Sequence, residues 1–554
     1  MGTSRHRKVI LGKRVITMHP DARSDFEGIV VEGDRIVRLI RRADLGDETR
    51  AASEVIDVGD RPLLPGFVDV HAHAEVVCRT DYDTIDCRAP ECGKVADVLD
   101  TLSAASCQPS ETPWLIGQAN LFFDRKLAEG RLPTRQELDS VSRGRPIALR
   151  AGGHITVLNS KALEIAGIDR NFVAPTYSVT GTPEVVRDAN GEPTGVVKEM
   201  DTLLPFPTFD HGKLRTALKE GLHKYFTSFG VTTIGEISET TLGIECMNDL
   251  AAAEDLPTAM RVYLWAPGTL AVEQVCRWRE YINLTVPESD LRIQGLKLFS
   301  DGGFSAKSAA VNCCYVGAGG FKGQIAFHKY FLKRAYRLTQ EAGLQMAVHA
   351  NGDRAQDWLC ETIASVGGSV PGRTRMRIEH AGNLLPNEAT KDWWARAGVL
   401  PVPQPVFLYT FGEYFPDYLG EYGRRGRFPF RTLLSEGWRL SGSSDVWVGS
   451  EREATSPMFS IWCCLKRQTY SGNYIDTDEA ITLEQALRMH TLDSAATLGE
   501  EDVRGSLAPG KYADIIALAE DPFTLDVDAL RTLSVDFVMS LGKVKLDRTT
   551  QRLA

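Results

Sequence analysis

Pro65-Gly66-Phe67-Val68-Asp69-Val70-His71-Ala72-His73 is an apolar run that ends in two histidines one residue apart. Side chains alternate faces along a strand, so His71 and His73 point to the same side with their rings close together. Two imidazoles so placed can share one metal ion. At the C-terminal mouth of a barrel strand they would offer two neutral nitrogen ligands to zinc or a similar ion. A His-x-His decides nothing alone, so the reading depends on further ligands arriving downstream at barrel-like intervals.

The chain of 554 residues is too long for one ordinary core and predicts a large barrel domain with at least one addition. With 43% hydrophobic and 25% charged residues, the composition is that of a soluble globular protein. Its 63 basic and 73 acidic residues leave a net charge of −10, which gives no reason to expect nucleic acid or an anionic membrane as partner. No stretch approaches the length of a membrane span. Between Met1 and Lys13, the basic Arg5, Arg7 and Lys8 are not followed by the apolar core and cleavage site of a leader. The eleven cysteines are scattered, and the pairs Cys313-Cys314 and Cys463-Cys464 lack C-x-x-C spacing. They predict reduced, mostly buried thiols in a cytoplasmic protein.

Working outward from the histidine pair, Lys8 to Asp60 reads as short strands, with Gly33-Asp34 marking a hairpin. Gly510 to Leu518 and Val535 to Val544 are similarly rich in β-formers, and the two ends of the chain are expected to pair as one discontinuous β-sandwich. The expected division is 1–64 and 504–554 for the sandwich, 65–80 for the first barrel strand, 81–200 for an insertion that roofs the site, and 201–503 for the rest of the barrel. Seven more strand-like runs follow the first: Val231–Ile234, Met260–Leu264, Ile293–Phe299, Gln345–Val348, Met376–Ile378, Val399–Val402 and Trp438–Leu440. Candidate ligands fall at their ends. Lys297 lies in the fourth strand, His349 ends the fifth, His380 ends the sixth and Asp445 follows the eighth, so that all would converge on one mouth with His71 and His73.

Six stretches carry a resemblance: Pro65 to His73, Leu296-Lys297-Leu298-Phe299-Ser300-Asp301-Gly302, Val348-His349-Ala350-Asn351-Gly352-Asp353-Arg354-Ala355, Arg377-Ile378-Glu379-His380-Ala381, Ser443-Ser444-Asp445, and Gly505 to Asp514. In this order they resemble the third family of the amidohydrolase superfamily, which includes the N-substituted formamide deformylases. Arg145-Pro146 through Gly153-His154 and Asn159-Ser160-Lys161-Ala162-Leu163 resemble the segment such enzymes place over substrate. Two segments depart from the family pattern, Trp114 to Asn120 and Arg150-Ala151-Gly152-Gly153-His154, and neither contains a proposed ligand.

The resemblance implies an α/β fold, a distorted (β/α)8 TIM barrel with a discontinuous terminal β-sandwich and an insertion domain after strand one. It implies one or two divalent metal ions, zinc first, with manganese or iron as the other candidates. In that reading His71, His73 and Asp445 hold one ion, His349 and His380 hold a second, and a carboxylated Lys297 bridges them as an oxygen donor. The implied activity is hydrolysis of an amide, N-acyl or formamide C–N bond, a water made acidic by the ion attacking the carbonyl while Asp445 handles the proton. Without carboxylation, Lys297 is expected to pair with Asp301 or Glu236, leaving a site for one metal.

His154 is a candidate catalytic residue that contacts substrate or steadies the developing oxyanion. Asp353-Arg354 are expected to tie their loop down, and Glu379 to face away from His380. Phe407, Tyr409 and Arg424 belong to an aromatic and arginine-rich stretch that predicts a lidded pocket for an apolar or aromatic amide of small-molecule size. A homodimer is compatible with these features. Two other readings share the chain: the same metal site used for decarboxylation or C–O cleavage, and a catalytically silent barrel that only binds a ligand. The Ser305-Ala306-Lys307-Ser308 cluster lacks the Gly-rich serine loop of a Ser-Lys amidase and reads as a turn.

Overall fold

In the computed structural model, which describes residues 7–19, 25–109, 112–372 and 374–549, the histidine-bearing run is strand β1, Phe67–Ala72. Every residue of β1 is buried, as a parallel strand covered on both faces requires. It stands at one edge of a seven-stranded sheet whose order follows the chain: β2 Val231–Ser238, β3 Ala259–Trp265, β4 Leu291–Phe299, β5 Gln345–His349, β6 Arg377–Glu379 and β7 Leu400–Val402. All neighbouring pairs are parallel. Helices such as Thr241–Ala252, Lys329–Glu341 and Asp353–Ala364 lie between the strands, so the α/β barrel expected from the sequence is present.

The expected eighth strand is corrected. Trp438–Leu440 joins no ladder, and the barrel is closed instead by the irregular segment 441–446. There Asp445 N donates to His71 O at 2.8 Å and His73 N donates to Val446 O at 3.1 Å. On the other side Gln404 Nε2 donates to Ser443 Oγ, and Ser443 Oγ to Pro403 O, each at 3.0 Å. Ser441-Gly442-Ser443-Ser444 offers no β-branched side chains to hold a pleat. Gly442 also packs against His490 so closely that a Cβ would stand 2.2 Å from the ring. The strand β1 itself ends at Ala72, and the chain turns directly into helix α1, Ala74–Asp83.

The two ends of the chain do pair. Pro62–Pro65 runs antiparallel to Ile515–Leu518, within a five-stranded sheet that also holds Arg14–Val15, Val535–Ser540 and Lys543–Asp547. A four-stranded sheet, including the hairpin Phe26–Glu32 and Arg35–Arg41, packs on it through Ile29, Val31, Leu63, Ile515 and Phe537. Each such aliphatic or aromatic side chain, sealed from water, contributes about 1.5–3 kcal/mol of transfer free energy. Gly66 N donates to Asp514 O and Phe67 N to Gly230 O, so this sandwich abuts the start of β1. Met1 to His6, the beginning of the stretch read above for a leader, lies outside the described residues.

Between α1 and β2 the chain builds a six-stranded sheet, with Glu184–Arg187 at one edge and Ile85–Asp86 at the other. Its own core includes Val98, Leu102, Leu149 and Val157. Strands Ile147–Ala151 and Ile155–Leu158 form a hairpin whose tight turn is Gly152-Gly153-His154, both glycines having positive φ. That turn is what brings His154 to the barrel mouth. No helix among the described residues is long and apolar enough to cross a membrane.

Candidate metal centre

His71 and His73 are 0% and 3% exposed, with ring centroids 5.5 Å apart. Both Nε2 atoms face Asp445 Oδ1, at 3.1 Å and 3.4 Å. The donor atoms of the three residues all lie within 4.8 Å of one another. Asp445 has φ 45°, a conformation that surrounding structure has to impose on a residue with a side chain. Asp69 helps impose it: its Oδ1 accepts from Ser444 N at 3.1 Å and from His71 N at 3.2 Å.

His349 and His380 meet from the other side, with His380 Nε2 3.0 Å from His349 Nδ1 and 3.9 Å from Asp445 Oδ2. Gln404 Oε1 lies 2.7 Å from His380 Nδ1 and also accepts from Asn383 Nδ2. An amide oxygen only accepts, so Nδ1 carries the ring proton and Nε2 turns its lone pair to the centre.

Lys297 rises from β4 between the two histidine pairs, fully buried, with Nζ 3.0 Å from His71 Nε2. Neither acid that the sequence offered as its partner serves. Asp301 accepts from the backbone of Ala310, Asn351 and Gly352, and Glu236 accepts from Ala74 N and Glu75 N at the start of α1. Burial pushes the Lys297 amine down to about 8, against the attraction of Glu379 and Asp445.

Burial drives His71 and His349 well below the usual imidazole value, and His73 and His380 down to about 4. They are neutral near pH 7, the state in which imidazole can bind a metal. Burial works against ionisation of Asp445, but His71, His73 and His380 outweigh it and hold the carboxyl well below its usual range. Neutral nitrogens beside one ionised carboxylate, away from water, are the donors a divalent ion of the zinc kind takes. The buried His73 Nδ1, with no hydrogen-bond partner among the described residues, leaves Nε2 as the nitrogen directed at Asp445. The residues fit such an ion.

A narrow aromatic pocket opens over this centre. Its walls include Leu121, Phe122, Phe299, Phe304, Phe407 and Trp447, together with His154. Phe407 and Phe411 sit four apart on the helix Val406–Phe411 and both reach the cavity, since residues at that spacing share a face. Tyr409 therefore points away, against Phe459 and Trp462. Arg424 is exposed on the surface and paired with Glu421 at 3.0 Å. Neither joins the centre. Asp353 and Arg354 do tie a loop down, through Asn312 N and Gly323 O.

Two acids stand at the site, of which sequence reasoning named Glu379 as a supporting residue and missed Glu199. Glu379 was expected to face away from His380, and its Oε2 lies 2.7 Å from His71 Nδ1. The side pointing away from a regular strand's next residue is here the barrel interior, and His380 is brought back to the centre by φ 75°. The alternation of Arg377 and Glu379 along β6 was the available signal. Glu199 lies 2.8 Å from His154 Nδ1, and nothing in its local sequence marks it, because the contact is made across the insertion.

The sequence pattern of the amidohydrolase family matches residues 54–545. An N-substituted formamide deformylase of Arthrobacter pascens is 27% identical over 543 residues, covering 96% of each chain. The protein LONG AFTER FAR-RED 3 of Arabidopsis thaliana is 26% identical over 530 residues, covering 91% of this chain and 86% of the plant protein. Among solved structures, an uncharacterized metal-dependent hydrolase from Pyrococcus horikoshii OT3 superposes with a TM-score of 0.71 at 20% identity, covering 94% of this chain and 99% of that one. That likeness shows a shared fold.

Proposed function

The chain belongs to the amidohydrolase family, and from that premise we propose that it is a metal-dependent hydrolase of an amide, N-acyl or formamide C–N bond carrying an apolar or aromatic substituent. The observation that carries this reading is the convergence of His71 Nε2, His73 Nε2 and Asp445 Oδ1 beneath an aromatic cavity. The name of the Arthrobacter relative agrees with the formamide version.

His71, His73 and Asp445 would hold one divalent ion, zinc first, and His349 and His380 a second. When bound, such an ion supplies Lewis acidity, polarising a carbonyl and making water acidic near neutral pH. Lys297, buried and without a carboxylate in ion-pair contact among the described residues, is suited to carboxylation: its neutral amine adds carbon dioxide and releases a proton, giving an oxygen donor between the two histidine pairs.

The chain's own groups do the remaining work. Asp445, held ionised, accepts the proton of the attacking water and returns it to the departing amine nitrogen. Phe122, Phe407 and Trp447 exclude water and seat the substituent. His154 contacts the substrate from the insertion side. Eleven unpaired cysteines accord with the reducing cytoplasm.

The test is metal analysis of protein purified without chelator, followed by a panel of N-benzyl and N-aryl formamides and acetamides with amine release as readout. The expected result is at least one equivalent of metal and amine release that chelation abolishes and zinc or manganese restores. Metal-loaded protein that releases no amine from any of the panel would overturn the reading.

A further inference from the structure

Glu199 is completely buried at the end of the insertion strand Pro193–Lys198, with φ 52°. Its two oxygens have different tasks. Oε2 lies 2.8 Å from His154 Nδ1, while Oε1 accepts from Gly303 N at 3.0 Å and from Ser308 Oγ. Glu199 N also donates to His154 O at 2.9 Å. One carboxylate thus joins two insertion residues to the loop that follows β4.

The fit around it leaves no room for a methyl group. A Cβ on Gly302 would stand 2.3 Å from Glu199 Oε1, and one on Gly303 would stand 2.6 Å from the His154 ring. A carboxylate accepts, so His154 must donate from Nδ1. Nε2 is then the ring nitrogen free for another partner. The ring lines the cavity, with its centroid 6.1 Å from that of His349.

We propose that Glu199 is a positioning residue that, with its carboxylate at Nδ1, holds His154 as an imidazolium whose Nε2–H donates a hydrogen bond to the oxygen of the scissile group. The dyad is assembled from the insertion and locked by the loop after β4, which makes docking of the insertion part of building the site. Burial lowers the His154 pKa, but the charge of Glu199 and the bond to it outweigh this and raise it, in keeping with a ring that donates. The proposal rests on the hydrolase reading above for what Nε2 contacts, whereas the orientation of the ring stands on the geometry alone.

The two parts are tested separately. In protein labelled with 15N-histidine, the His154 signals, assigned by their loss in His154→Ala, should report a proton on Nδ1 in the parent and a changed Nδ1 environment in Glu199→Gln and in Ser308→Ala. A proton on Nε2 alone in the parent overturns the dyad whatever the enzyme hydrolyses. With N-benzylformamide as probe, Glu199→Gln should lower kcat about 10- to 100-fold with KM within about twofold, and metal content should be unchanged. The double variant Glu199→Gln/His154→Ala should be no slower than His154→Ala. Losses that multiply overturn the positioning role, and a parent that hydrolyses nothing sinks the hydrolase reading while the NMR result still decides the dyad.

Discussion

Glu379 Oε2 lies 2.7 Å from His71 Nδ1, and Arg377 Nε lies 2.6 Å from the other oxygen of the same carboxylate, all three side chains fully buried. His71 thus has an acid against Nδ1, in an ion-pair contact whose angle is not that of a hydrogen bond, and presents Nε2 to Asp445 and Lys297. An outer carboxylate this close to a ligand raises its basicity.

Glu379→Gln removes the negative charge that stands against both His71 Nδ1 and Arg377. The expected outcome is metal affinity weakened by about 10- to 100-fold, read by competition against a chromophoric chelator. Affinity equal to the parent's would mean that Glu379 serves only Arg377.

Asp445→Asn keeps an oxygen near His71 and His73 but removes the ionised form that the site is built to favour. Its metal content is expected to fall only in part, while kcat falls by about 10³-fold or more. A kcat within tenfold of the parent at equal metal loading would take the proton-handling role away from Asp445.

The positions of His71, His73, Lys297 and His349 were legible because each stands at or near the C-terminal end of an apolar run, and parallel strands aim those ends at one mouth. The pairing of chain ends was legible too, since Pro62–Pro65 and Ile515–Leu518 carry matching apolar character. What failed to show was set by contacts between elements. Glu199 and His154 are 45 residues apart and meet through a hairpin turn and a loop of the barrel. Tyr409 was grouped with Phe407 by composition, but helical spacing separates them. The eighth strand was lost to a serine and glycine segment whose bonds run through side chains as much as backbone.

Gly235 is required by close approach rather than by an unusual backbone angle. A Cβ there would stand 1.9 Å from Val70 O on β1, and backbone cannot yield as a side-chain tip can. Gly235→Ala should therefore cost about 1–3 kcal/mol, read as a melting temperature lowered by several degrees. Because β1 carries His71 and leads directly into His73, metal affinity should drop with it. A variant that melts with the parent would show that β1 and β2 can separate without penalty.

His490 lies outside the metal centre, buried, with Nε2 2.9 Å from Ser460 Oγ and its carbonyl accepting from Val68 N. Burial pushes its pKa down to about 3. The ring is thus neutral when folded but takes a proton in the unfolded chain once the pH drops below about 6.5. Its contribution to stability is fully present above about 6.5 and is lost as the pH falls toward 3, a total on the order of 5 kcal/mol. His490→Gln cannot titrate, so its melting temperature should decline less between pH 7.5 and 4.5 than the parent's, and the gap between the two should narrow on acidification. Carboxylates titrate alike in both proteins and cancel in the difference. Parallel curves would mean that His490 takes its proton as readily in the folded chain as in the unfolded one.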